Sequence, residues 1–391
     1  MKVKISPLKK LILMGAVLPL GVVSANEITQ QEFTQLKSDI LQLKKDKSRR
    51  SVAHLSGYGS VGYSDTEDND GSFSQLQFAP IFHYQIDDRI MLEAELEIED
   101  EDSGETEVKL EYLTIDVVLG NNAILVAGKF LSPIGQFRQN IHPSWINKLP
   151  SAPPGFGHGG AAPVSETGAQ VRGGFYLSNQ QFNYAVYYGN GPQIDVEVET
   201  EAGESEEIEI HDVENEGFIS DLNGEKSWGG RLGWLPLPKV EIGLSYMGGQ
   251  ADTEFVLLSG GVETEVKESS DITVYGADFV AQVDSFTLRG EYIKQELDHV
   301  GAGGLETGSP EWKTFYLQGS YRFSGTGWEA VTRYTDFDSP KDSSDVTQWA
   351  LGVNYLITEN AMVKVAYEVN DGERDSAADK NKALVQLAYG F

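Results

Sequence analysis

The sequence predicts an all-β fold: a sixteen-stranded antiparallel transmembrane β-barrel with a short N-terminal helical, coiled-coil leader. Three observations carry this. From Ser51 onward apolar residues alternate with polar ones in segments of about ten residues, the pattern of strands with one face on lipid and the other on water. The links between segments alternate short and long, so one end of the structure carries tight turns and the other carries loops. The chain closes on "NKALVQLAYGF", where Ala383, Val385, Leu387, Tyr389 and Phe391 fall on one face of a period-two strand. A soluble acidic protein ordinarily ends in frayed polar residues, whereas this face needs an apolar neighbour, which lipid supplies.

In chain order, Lys2, Lys4, Lys9 and Lys10 precede the apolar run "LILMGAVLPLGVV" and then Ser24 and Ala25, so residues 1–25 read as a signal peptide. That run of 13 residues falls short of the ~20 that a spanning helix needs. Removing 25 of 391 residues leaves 366, and removing four lysines takes the formal charge from -30 to -34, which argues against nucleic acid as a partner. There are 0 cysteines, which excludes thiolate catalysis and thiolate metal sites. Residues 26–50 form the leader: Phe33, Leu36, Ile40 and Leu43 make a heptad seam two repeats long, which needs association supplied elsewhere in the chain.

Residues 51–391 form the barrel. Leu55, Val61 and Tyr63 face lipid on the first strand, and Leu76, Phe78, Phe82 and Tyr84 on the second. The third is the clearest, with Glu93, Glu95, Glu97 and Glu99 on one face and Leu92, Ala94, Leu96 and Ile98 on the other. Further strands follow near 106–118, 123–131, 166–177, 181–190, 226–235, 239–248, 270–283, 285–296, 312–323, 327–337, 345–356, 361–370 and 381–391. Their short links are at 87–89, 119–122, 178–180, 235–239, 284–285, 324–327 and 358–360.

The same alternation assigns the lumen. The four glutamates of the third strand make an acidic wall, and Lys129, Arg172, Arg231, Arg289, Arg322, Arg333, Lys364 and Lys382 supply inward cations. Between Asp116 and Glu166 lie 49 residues without an acid, holding Lys129, Arg138, His142, Lys148 and His158. So long a loop, mixing apolar and basic residues, suits folding inward. We expect Lys129, Arg138, His142, Lys148, Arg172, Arg231, Arg289 and Arg333 to line a basic constriction that concentrates anions.

The external loops carry most of the acid: residues 173–225 contain no Lys or Arg and thirteen acids. "DTEDNDGS" fails as a calcium loop once Gly71 is aligned to the fixed turn, and solvated surface against lipopolysaccharide is the reading favoured there. "GFGHGG" lacks the strand and helix of a phosphate cradle, and His142 and Ser144 lack a nearby acid to orient a base. No catalytic residue, metal or cofactor is therefore expected.

"VAGKFLSPIGQFRQN" resembles the Gly-Lys-Phe…Pro-x-Gly segment of the phosphate-selective porin O and P family, and the leader, the sixteen strands and Phe391 are similar to that family as well. "FAPIFHYQ" and the acidic loops look most like the legiobactin-receptor-type siderophore porins. The resemblance implies an outer-membrane pore, passive and anion-favouring, taking up small anionic solutes or a ferric polycarboxylate siderophore. With 30 Lys and Arg against 60 acids, the chain departs from the dense cation ladders of phosphate channels. A plug of the kind energised receptors carry does not fit in residues 26–50, so uptake would be passive. The alternatives are a general diffusion porin without a specific ligand, or a surface adhesin or envelope-tethering barrel. The expected partners are outer-membrane lipid and lipopolysaccharide, and a homotrimer is expected from the short heptad seam.

Overall fold

The computed structural model describes residues 37–38, 52–100, 104–199, 207–221, 224–259, 262–299, 301–302, 305–306, 308–374 and 376–391. The expected signal peptide and, apart from the helical Lys37 and Ser38, the expected heptad leader lie outside the described residues.

The strands are β1 (Val52–Thr66), β2 (Ser72–Gln85), β3 (Ile90–Asp100), β4 (Thr106–Val118), β5 (Ala123–Leu131), β6 (Ser165–Leu177), β7 (Gln180–Gly189), β8 (Gln193–Glu199), β9 (Glu207–Glu214), β10 (Ser227–Leu237) and β11 (Val240–Ser259). They continue as β12 (Val262–Val283), β13 (Phe286–Leu297), β14 (Gly301–Ala302), β15 (Leu305–Glu306), β16 (Glu311–Arg322), β17 (Trp328–Asp338), β18 (Val346–Leu356), β19 (Ala361–Gly372) and β20 (Lys382–Gly390). Two hairpins, β8–β9 and β14–β15, lie in the long loops. The other sixteen strands pair antiparallel in sequence, and β1 pairs with β20 to close the ring. Closure extends to the last residue, since Gly57 and Phe391 exchange backbone hydrogen bonds of 3.0 and 2.9 Å. A closed ring leaves no edge unpaired, which lipid demands.

The outward face follows the alternation. On β20, Val385, Leu387 and Tyr389 are exposed while Leu384, Gln386 and Ala388 are buried. Phe391 stacks on Phe78 with centroids 5.9 Å apart. Each tight link joins strands at the same end, and three are shaped by left-handed residues: Ser178 with Asn179, Lys239, and Asp284, with φ of 49°, 67°, 65° and 51°.

Three features depart from the expected segments. β11 and β12 run on to 259 and back from 262, well past the expected limits at 248 and 270, because backbone pairing continues through Val262↔Ser259. β8–β9 forms in the acidic stretch read as solvated loop; there too, valine and isoleucine alternate with acids. A bulge between β3 and β4 aligns Glu95 with Tyr112 and Leu96 with Leu110, so Glu111 is the extra residue. It turns inward beside Tyr112, a position that strict alternation does not assign.

The core lies in the lumen. Phe137, Ile141, Phe156, Ala161 and Ala162 of the loop between β5 and β6 pack against wall residues including Tyr187, Met247, Ile272, Ile293, Trp312 and Tyr316. Leu149 of the same loop joins Val331, Ala350, Ala366 and Leu384 in a second cluster. Burying side chains of this size contributes about 1.5–3 kcal/mol each, so the loop has its own apolar reason to sit inside.

Candidate functional site

The acid-free loop, residues 132–164, folds inward, and its course is fixed by contacts to strands far along the chain. It starts at Ser132, whose N–H donates to the Val164 carbonyl at 3.0 Å. Gly135 then takes φ +74° beside the Glu291 carboxylate, a place where a Cβ would collide. That carboxylate accepts from the backbone N–H groups of Gln136 and Phe137, each at 3.1 Å, and Gly135 N–H donates to Ser245 Oγ at 3.0 Å. A short π-helical turn, Phe137–Ile141, follows. Its apolar side enters the core, and Arg138 points the other way, to Glu111 Oε2 at 3.1 Å.

The second half of the loop is held by two buried cations. Arg333 donates to the Ser151 carbonyl (3.0 Å), Ser151 Oγ (3.1 Å), the Ala152 carbonyl (3.2 Å) and Gln348 (3.0 Å). Lys364 donates to the carbonyls of Ser144 and Leu149 and to Gln386 at 2.8 Å. Both side chains are 0% exposed. Burial of a charge is tolerable only with acceptors of this kind, although Arg333 Nε is buried without one.

Between these anchors a layer of side chains crosses the lumen. Tyr58 donates to Glu95 at 2.8 Å; His142 Nε2 stands 4.0 Å from the same carboxylate, and its ring meets Tyr58 edge-on at 6.4 Å. With Arg138–Glu111 this layer divides the polar space. On the loop side is a cavity of about 460 Å³ lined by Gln77, Glu97, Glu99, Arg138, His142 and His158. On the turn side are cavities of about 190 and 470 Å³ that share Gln139, Asn140 and Arg172.

The predicted residues are distributed unevenly around this layer. Arg138 and His142 are in it, and Glu95 faces them. Lys148 pairs with Glu329 at 3.2 Å, Arg172 with Asp116 at 2.8 Å, and Arg231 with Asp278 at 2.6 Å and Glu241 at 2.9 Å. Arg333 is an anchor of the loop with no exposed surface. Arg289 stands opposite Gln318, on the inward phase, and has no ion pair among the described residues. Lys129 stands opposite Leu113, which is 41% exposed, and Thr167 in the β4–β5–β6 ladder, and is within electrostatic reach of Glu111, Glu216 and Arg138.

On the acidic wall Glu93 meets His83 at 3.3 Å, while Glu97 and Glu99 both accept from the Gln77 amide. Alternation missed Glu111 because the bulge shifts the phase by one residue. It also missed the carboxylates that meet each cation, Asp116, Asp278 and Glu329, although these lie on inward positions of strands already assigned.

The second long loop also enters the site, contrary to the solvated reading of the whole stretch. Ile194 and Val213 belong to the lumenal core, and the Asn215 carbonyl accepts from Val164 and Ser165 N–H at 3.1 and 2.9 Å. Glu216 bonds His158, and this hydrogen bond is the main cause that holds its carboxyl below the usual range.

Comparison with known proteins bears on this geometry. The family model of phosphate-selective porin O and P matches residues 239–391. A search of curated proteins found no match to the chain. Among solved structures, the anion-selective porin from Comamonas acidovorans is similar with a TM-score of 0.55 at 13% identity, over 88% of this chain and 100% of that one. OmpT of Vibrio cholerae in its trimer form is similar at 0.52 and 15%, over 87% and 99%. The outer membrane channel DcaP of Acinetobacter baumannii is similar at 0.52 and 10%, over 87% and 97%. At such identities the likeness is one of fold. The closed ring of sixteen strands, its lipid-facing alternation and its inward loop make this protein a bacterial outer-membrane β-barrel with the porin fold.

Proposed function

We propose that the protein is a passive porin for small hydrophilic solutes, with the residue layer at Arg138, His142, Glu95 and Glu111 as its constriction. The observation that carries the reading is the polar cavity on each side of that layer, one of about 460 Å³ and one of about 470 Å³. Pairing each constriction cation with a carboxylate leaves a weak net field, which suits general diffusion. Reversal potential across a salt gradient in planar bilayers tests this: a conducting pore with a small offset is expected, and a barrel that carries no current sinks the reading in favour of an adhesin or tether.

A second reading, anion-favouring uptake extending to a ferric polycarboxylate siderophore, has specific support. The Arg172 side chain is 43% exposed to the turn-side cavity, and Arg289 has no ion pair among the described residues. The narrower turn-side cavity, about 190 Å³, is below the ~300–1,000 Å³ of ordinary ligand pockets, so a bulky chelate requires the loop to move. Chloride current should then fall when a ferric citrate-type chelate is added to one side, and Arg172→Glu should abolish the block. A current indifferent to the chelate limits the pore to small solutes.

We also propose a homotrimer, which the trimer form of the Vibrio cholerae protein supports, with residues 1–25 removed and 26–50 as a helical leader that strengthens the assembly. Light scattering in mild detergent should give the mass of three chains; the mass of one chain contradicts this.

A further inference from the structure

We propose that Glu97, Glu111 and His158 form a binding site for zinc or a similar first-row divalent cation, whose occupancy ties the tip of the inward loop to the β3–β4 wall. Neither the fold nor solute passage calls for these three residues to meet. Glu97 comes from β3, Glu111 from the bulge of β4, and His158 from the "GFGHGG" tip, yet one ligand atom from each lies within 4.8 Å of the others.

Spacing and orientation both point to an ion. Glu97 and Glu111 are 9% and 4% exposed, and among the described residues Arg138 is the cation bonded to the pair, on Glu111. Gln77 donates to Glu97, and the Glu97 and Glu111 carboxyls also hydrogen-bond each other. Zinc would displace the hydrogen held between these two carboxyls and take one oxygen from each. His158 has its Nδ1 held by the Glu216 carboxylate from the other long loop, so Nε2 is the nitrogen left to a ligand. An imidazole whose second nitrogen is bound by a carboxylate is the usual setting of a metal-bound histidine. Two carboxylates and one imidazole, with water completing the shell, suit zinc better than calcium or magnesium, which prefer oxygen alone. His158 sits between Gly157 and Gly159, the latter at φ +67°, so this short segment can adjust to a bound ion at little cost.

The binding claim stands on the three side chains; its effect on conduction rests on the porin reading, and the test separates them. Zinc would be titrated calorimetrically into the folded full-length protein in detergent, and in parallel added to the loop side of single pores. We expect one ion per chain, about tenfold or more weaker binding in His158→Ala and in Glu97→Gln, and 10–100-fold weaker binding in Glu216→Gln through the lost orientation of the ring. Conductance should fall on zinc addition, recover with chelator, and stay unchanged in His158→Ala. Identical isotherms in wild type and both ligand variants, with heat-resistant barrels in each, would mean that zinc binds only the acidic external loops and would overturn the site. Variant-sensitive binding without any conductance change would overturn the tie of loop to wall.

Discussion

At the scale of single residues, the inward loop depends on a few positions that admit one side chain. Gly135 combines a left-handed φ with direct contact to the Glu291 carboxylate. Gly135→Ala should cost about 1–3 kcal/mol in strain and displaced contacts. Barrels should still assemble, with a lower melting temperature and noisier single-channel current. Arg138 and Lys148 each face one carboxylate, Glu111 and Glu329. Replacing both with Glu sets carboxylate against carboxylate in a confined space, so reversal potential should move toward cations. An unchanged potential in assembled pores would place these residues away from the solute path.

At the scale of elements, the loop is stapled by cations of β17 and β19 that reach its backbone carbonyls. Arg333→Ala takes the donor from the Ala152 carbonyl and Gln348 Oε1, while the Ser151 carbonyl keeps Asn147 and its hydroxyl keeps Glu368, at about 1–3 kcal/mol for a group left buried and unsatisfied. Higher conductance with an intact strand spectrum by circular dichroism is the expected outcome, and so is a comparable effect of Lys364→Met. The strands themselves were legible because a period of two and the alternation of short and long links are local signals. Arg333 and Lys364 were legible as inward residues for the same reason. Their role as staples was not, because it depends on where residues 144–152 travel, which no local period encodes. Glu111 was hidden by one extra residue in β4, and β8–β9 by an acid density that resembles solvated loop. The inward course of the loop was readable in chemical terms, since a 49-residue stretch free of acid meets a wall rich in it.

At the scale of the whole barrel, closure rests on the chain end. Phe391 exchanges backbone hydrogen bonds with Gly57 and stacks on Phe78, and it is 40% exposed on the lipid side. Phe391→Ala should therefore lower the yield of heat-resistant barrels in the membrane while leaving the conductance of those that form unchanged. Normal yield with altered selectivity would contradict the outward placement of the ring.

The staples of the loop also set an order of events in time. Lys364 and Arg333 meet loop atoms 220 and 182 residues earlier in the chain, and Gln386 reaches Ser60 across 326. The Ser144, Leu149 and Ala152 carbonyls of a loop emerging during synthesis wait for donors from the last quarter of the chain. Contacts so distant in sequence make folding slow, and a loop tethered to late strands must be enclosed as the ring shuts rather than inserted afterwards. Refolding followed by tryptophan fluorescence, with Trp145 beside Gly390 as the reporter, should show loop docking and ring closure as one kinetic phase, and Arg333→Ala should separate them into two.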